Sequence, residues 1–122
     1  MPKRILVVDD EPDIIKVLMV RLREQGYETS SALDAKQAWA QIEQNVPDLI
    51  ILDIMMPGIS GHEIAQKLKA DRELCHIPII FLSGLQTKDG ERTQGKVIGG
   101  NVILAKPFEM AVLLENIKEM IP

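Results

Sequence analysis

The chain has 122 residues, with 14 Lys and Arg against 18 Asp and Glu, a formal net charge of −4, 46% apolar residues and 26% charged ones. That length predicts one hydrophobic core and a single domain over residues 1–122, and the mixture excludes disordered, collagen-like and disulfide-built chains. A pI near 5.2 offers no excess positive charge for the phosphates of a nucleic acid, the lone Cys75 excludes an internal disulfide and fits a reducing cytoplasm, and no apolar run approaches the about 20 residues of a membrane span.

Short aliphatic runs alternate with stretches of helical spacing. Residues 4–8 predict a first strand, and Ile14, Leu18 and Leu22, four apart, predict a first helix that Gly26 ends. A weaker strand follows around residues 27–31, then a helix carrying Ala38 and Ile42. Pro47 precedes a strand at 49–52, Pro57 to Gly61 reads as a turn, and Ile64 and Leu68 mark a third helix. Pro78 opens a strand at 79–82, and a fifth strand is expected at 102–104. Met110, Leu113, Leu114, Ile117 and Ile121 form the last helical stripe. Continuous aliphatic strands indicate a sheet buried on both faces, and alternation with helices makes it parallel, so a five-stranded three-layer α/β domain is expected. The alternation also requires a fourth helix at 88–98. Gly90 and Gly95 each weaken it by roughly 1 kcal/mol relative to Ala, so it is weakly specified.

Ligands of open parallel sheets bind beyond the carboxyl ends of the strands. The first strand ends in Asp9-Asp10-Glu11, the third in Asp53, the fourth in Ser83, and the fifth in Lys106-Pro107. Carboxylates 4 Å apart repel by roughly 4 kcal/mol at an effective dielectric of 20, and Lys106 supplies only one positive charge. A hard divalent cation with oxygen ligands is the natural complement, and Mg²⁺ suits one or two carboxylates together with waters and phosphate oxygens. A carboxylate beside Mg²⁺, a lysine and a hydroxyl is equipped to accept a phosphoryl group.

Asp9-Asp10, the run from Asp53 through Met55, Met56 and Pro57 to Gly61, Ser83-Gly84 and Lys106-Pro107 together resemble the receiver domain of two-component response regulators, over essentially the whole chain and in order. The resemblance implies a doubly wound, flavodoxin-like sheet of order 2-1-3-4-5 with five helices. It implies that Asp53 is the phosphoacceptor, charged from a sensor histidine kinase or phosphotransfer protein, in a signalling domain that is not a conventional enzyme. Asp9, Asp10, Asp53 and the backbone carbonyl of Met55 would bind Mg²⁺, while Ser83 and Lys106 would hold phosphoryl oxygens. The Lys106-Pro107 peptide is commonly cis in the family. A downstream effector protein or fused output domain would read the face built from the fourth helix, fifth strand and fifth helix.

Simpler roles compete for several residues. Asp9 and Asp10 could cap the first helix, but Asp13 suits that task better because Ile14 begins the apolar stripe. Ser83 could serve as a cap as well as a phosphoryl contact. Met56, Trp39, His62 and His76 are assigned to packing or surface, and Cys75 has no motif around it. Two departures from the family bear on function. Ile103 stands where many receivers carry an aromatic ring that turns inward, so switching is expected to rely on the Gly-rich fourth-helix segment. Met55 and Leu85 are apolar at positions that influence water access, so autodephosphorylation is expected to be slow. A haloacid-dehalogenase-type phosphatase would need an Asp where Met55 stands, and a constitutive docking module would not need the full acid, Ser and Lys set.

Overall fold

Which helix covers which face follows from the alternation of side chains along fully buried strands. The computed structural model describes residues 2–54, 61–83, 94–98, 101–105 and 108–122. In chain order these hold β1 (Arg4–Val8), α1 (Pro12–Glu24), β2 (Glu28–Ala32), α2 (Ala35–Gln44), β3 (Leu49–Asp53), α3 (Gly61–Ala70), β4 (Ile79–Ser83), β5 (Gln94–Ile98), β6 (Asn101–Ala105) and α4 (Met110–Met120). Ile5, Val7, Leu49, Ile51, Ile80, Leu82, Val102 and Leu104 pack on one side against Leu18 and Leu22 of α1 and Leu113 and Ile117 of α4. Leu6, Val8, Ile50, Leu52, Ile79 and Phe81 pack on the other against Ala38 and Ile42 of α2 and Ile64 and Leu68 of α3. Successive strand residues thus serve opposite layers, which is why these strands read as unbroken aliphatic runs.

The sheet order is β2-β1-β3-β4-β6-β5. All neighbours from β2 to β6 pair in parallel. Counted among themselves, the five parallel strands have the expected doubly wound order 2-1-3-4-5. The sixth strand is the difference. Where a fourth helix was expected over 88–98, Gln94–Ile98 forms β5, antiparallel to β6, and residues 88–93 lie outside the described residues. Four helices rather than five occur among the described residues. The local sequence explains the change: Gly95 disfavours helix, Val97 and Ile98 are β-branched, and the pairing of Ile98 with Asn101 spans only Gly99-Gly100. Gly-Gly is among the preferred sequences for a two-residue hairpin connection.

The start of α1 is also shifted. The helix begins at Pro12, with Glu11 as the N-cap and no side-chain cap bond, so Asp13 lies in the first turn rather than at the cap. Pro is favoured at a first helical position because its missing N–H needs no partner there, and an acid in the first turn meets the positive end of the helix dipole. At the other end Gly26 takes φ +90° and its N–H donates to Arg23 O at 3.0 Å, closing the helix as its sequence position predicts. In α2 the cap is a side chain: Asp34 Oδ1 accepts from Gln37 N at 2.8 Å. Among the described residues no helix is long and apolar enough to cross a membrane.

Candidate functional site

Parallel pairing brings the carboxyl ends of β1, β3, β4 and β6 to one edge of the sheet. Asp9 directly follows β1 and is completely buried; its N–H donates to Ala32 O at 3.1 Å, tying it to the end of β2. Its Oδ1 accepts from Glu11 N at 2.9 Å, and this tight turn redirects the chain into α1. Asp53 is the last residue of β3, 2% exposed, in register with Leu82 of β4. The next N–H, that of Ile54, donates to Leu82 O at 2.9 Å and fixes the height of Asp53 on the sheet. One residue further along β4, Ser83 is buried and in register with Ala105, the last residue of β6.

The consequence is a cluster of acids. Oxygen atoms of Asp9, Asp10, Glu11 and Asp53 all lie within 4.8 Å of one another, with Asp9 and Asp53 buried and Asp10 and Glu11 reaching solvent. Two ionised carboxylates 4.8 Å apart repel by about 3.5 kcal/mol at an effective dielectric of about 20, an interaction that any cation or donor beside them offsets. Every donor in the set is a carboxylate oxygen, which suits a hard divalent cation and suits neither copper nor a structural zinc centre. The chain's formal net charge of −4 equals the charge of these four acids when ionised, so the remaining charged groups balance.

The structure therefore gathers Asp9, Asp10 and Asp53, and sets Ser83 on the strand beside Asp53. Met55, Lys106 and Pro107 lie outside the described residues, as do Leu85 and Met56. Glu11 was not among the expected metal-binding residues, although it closes the run Asp9-Asp10-Glu11; the signal that was available is the turn that folds its backbone over Asp9. Cys75 and His76, 3.7 Å apart from Sγ to Nδ1, precede β4 and so sit at the opposite edge of the sheet from Ser83. Trp39 packs, partly buried, on the α2–α3 layer, and Ile103 of β6 packs on that same layer.

Comparison with known proteins agrees with this geometry. The family model described as the response regulator receiver domain matches residues 5–118. Response regulator PleD of Caulobacter vibrioides is 37% identical over 120 residues, covering 98% of this chain and 26% of PleD. The phosphate regulon transcriptional regulatory protein PhoB of Pseudomonas aeruginosa is 40% identical over 119 residues, covering 98% of this chain and 52% of PhoB. The chain thus spans between about a quarter and a half of the length of these curated relatives. Among solved structures, the Vibrio cholerae chemotaxis protein CheY4 superimposes with a TM-score of 0.84 at 27% identity, covering 99% of this chain and 100% of that one. The Thermotoga maritima response regulator TrrA, solved in complex with Mg²⁺-BeF, gives a TM-score of 0.79 at 34% identity, covering 98% of this chain and 99% of that one.

Proposed function

Because the chain belongs to the response regulator receiver domain family, we propose that it is a phosphoacceptor switch of a two-component system, with Asp53 receiving a phosphoryl group from a sensor histidine kinase or phosphotransfer protein. The observation that carries this reading is the convergence of Asp9, Asp10 and Asp53 at one sheet edge, with oxygens no more than 4.8 Å apart. The Mg²⁺-BeF complex of the Thermotoga relative supports magnesium as the cation. Residues 1–122 act as one domain.

Asp9, Asp10 and Asp53 would hold the ion together with the backbone carbonyl of Met55, as the family resemblance implies. When bound, Mg²⁺ neutralises charge on the transferring phosphoryl oxygens. The chain's own residues do the rest. A carboxylate oxygen of Asp53 attacks phosphorus, the new P–O bond forms as the donor's P–N bond breaks, and the donor ring, protonated on its other nitrogen, leaves as neutral imidazole. The Ser83 hydroxyl donates to one phosphoryl oxygen, and the Lys106 ammonium offsets charge on another. The domain catalyses this transfer and its own slow dephosphorylation.

Phosphorylation changes how the face formed by β6, α4 and the segment around β5 binds a downstream effector or a fused output domain. The length of PleD and PhoB beyond the matched region fits the fused arrangement. The domain works in the cytoplasm with protein partners, binding neither nucleic acid nor membrane itself. Intact-mass measurement after incubation with acetyl phosphate and Mg²⁺ tests site, ion and reaction together. The expected result is one added phosphoryl group on wild type, none on Asp53→Ala, and none when Mg²⁺ is chelated. Labelling of Asp53→Ala to the wild-type level would overturn the assignment.

A further inference from the structure

We propose that the outer edge of β2 joins a second copy of this chain, strand antiparallel to strand about a two-fold axis at Ser30, so that two sheets become one. β2 closes one end of the sheet, and among the described residues no strand lies beyond it. Glu28 N donates to Lys3 O and Ala32 O accepts from Asp9 N, so Glu28, Ser30 and Ala32 turn their backbone groups toward β1. The alternate residues, Thr29 and Ser31, turn theirs outward. Those outward groups are self-complementary. About an axis at Ser30, Thr29 of one copy opposes Ser31 of the other, and each such pair exchanges two N–H···O bonds while Ser30 meets Ser30 in a non-hydrogen-bonded pair.

The two ends of the sheet are built differently. β5, at the far end, carries Lys96 and a break in register between Gln94 and Lys96, both of which discourage pairing at an edge. β2 has neither: its register with β1 runs unbroken from Glu28 to Ala32, and it holds no Lys or Pro. Its one charged residue, Glu28, stands at the start of the strand and pairs with Arg4 at 3.2 Å. Beside this edge runs a groove lined by Ile15, Met19, Val20, Leu33 and Ser31, in which Val20 and Leu33 are 51% and 43% exposed. α1 lies over β1 and β2, the strands it connects, so the axis sets the α1 helices of the two copies about two strand spacings apart, roughly 9.6 Å, where helices pack. Arg23 Nε donates to Thr29 Oγ1 at 2.8 Å and fixes the level of α1 on β2, so an axis at Ser30 passes close to Val20. The antiparallel helices then bring the exposed valines together and direct Lys16 of each copy toward Glu24 of the other. β6, near the opposite end of the sheet, stays outside the interface.

Site-specific cross-linking tests the register. Ser30→Cys in a Cys75→Ser background, incubated with oxidised glutathione, should form a disulfide-linked dimer, since Cα atoms of a non-hydrogen-bonded antiparallel pair are about 4.5 Å apart and within disulfide reach. Glu28→Cys in the same background should link at least about tenfold less, because the other copy's Glu28 lies four residues along the ladder, roughly 13 Å away. Equal linking at the two positions would overturn the register. Sedimentation equilibrium of the full chain from about 10 to 500 µM should show a reversible dimer for wild type and at least about tenfold weaker association for Ser31→Pro. That variant removes an outward N–H, and with it half of the bonds between the copies, but none of the bonds from β2 to β1. A wild type that is monomeric throughout, or Ser31→Pro associating as tightly as wild type, would overturn the proposal.

Discussion

Replacing Asp53 with Asn should stabilise the protein in the absence of divalent cations. Asp53 and Asp9 are 2% and 0% exposed, and their nearest ligand oxygens are at most 4.8 Å apart. At an effective dielectric of about 20, two unit charges at that distance repel by about 3.5 kcal/mol. Asn has nearly the same shape and retains an acceptor, but not every contact of the carboxylate survives, and a lost hydrogen bond costs about 1 kcal/mol. The net expectation is a gain of about 1–3 kcal/mol, which for a domain of this length raises the melting temperature by roughly 3–10 °C. Thermal unfolding followed by circular dichroism in chelator gives the first comparison. Repeating it in millimolar Mg²⁺ gives the second, because a ligand that binds only the folded state stabilises wild type more than a variant missing one of its ligands. The gap between the two proteins should therefore close or reverse in Mg²⁺. A variant that melts below wild type in chelator would refute the claim that these acids are held together against repulsion.

Asp34→Ala removes the acceptor for Gln37 N at the start of α2 and should cost about 1 kcal/mol in urea unfolding, with Asp34→Asn recovering most of it. Met55→Asn and Leu85→Glu should each speed loss of the phosphoryl group from Asp53, measured by decay of the phosphorylated mass, because both replace an apolar side chain with one able to orient an attacking water; slower decay would count against the role assigned to these rim positions. A phosphoryl mimic with Mg²⁺ should alter hydrogen exchange across residues 84–100, since Ile103 lacks the ring of an aromatic readout; identical exchange with and without the mimic would sink that route of switching.

Much of the architecture was legible because these strands are buried on both faces. The central positions of β1, β3 and β4 are filled by aliphatic residues and Phe81, so their runs announced them, and the stripes of Leu18 and Leu22, Ile64 and Leu68, and Leu113 and Ile117 named the helices that cover them. The positions of Asp9, Asp53 and Ser83 were readable for the same reason: each interrupts such a run where the strand stops. What escaped was decided by local competition. The segment containing Gly95, Val97 and Ile98 has too little apolar periodicity to commit to a helix, and pairing with β6 wins. The helix cap passed from Asp13 to Glu11 because Pro12 adopts a first-turn position before any side-chain oxygen is needed. Glu11 joined the acids through a turn between residues only two apart, a contact that strand and helix periodicities do not encode.

Strand β6 addresses two audiences. Val102 and Leu104 lean on the layer that contains α1 and α4, whereas Ile103, between them, leans on the layer that contains α2 and α3. If Asp53 is phosphorylated as proposed, a displacement reaching β6 would meet both layers, because its three consecutive side chains pack on opposite faces. A slip of one residue against β4 would exchange the destinations outright, sending Ile103 toward α4 and its neighbours away from it. Were the domain to switch as proposed, the surface that responds would depend on which of the two layers gives way to β6.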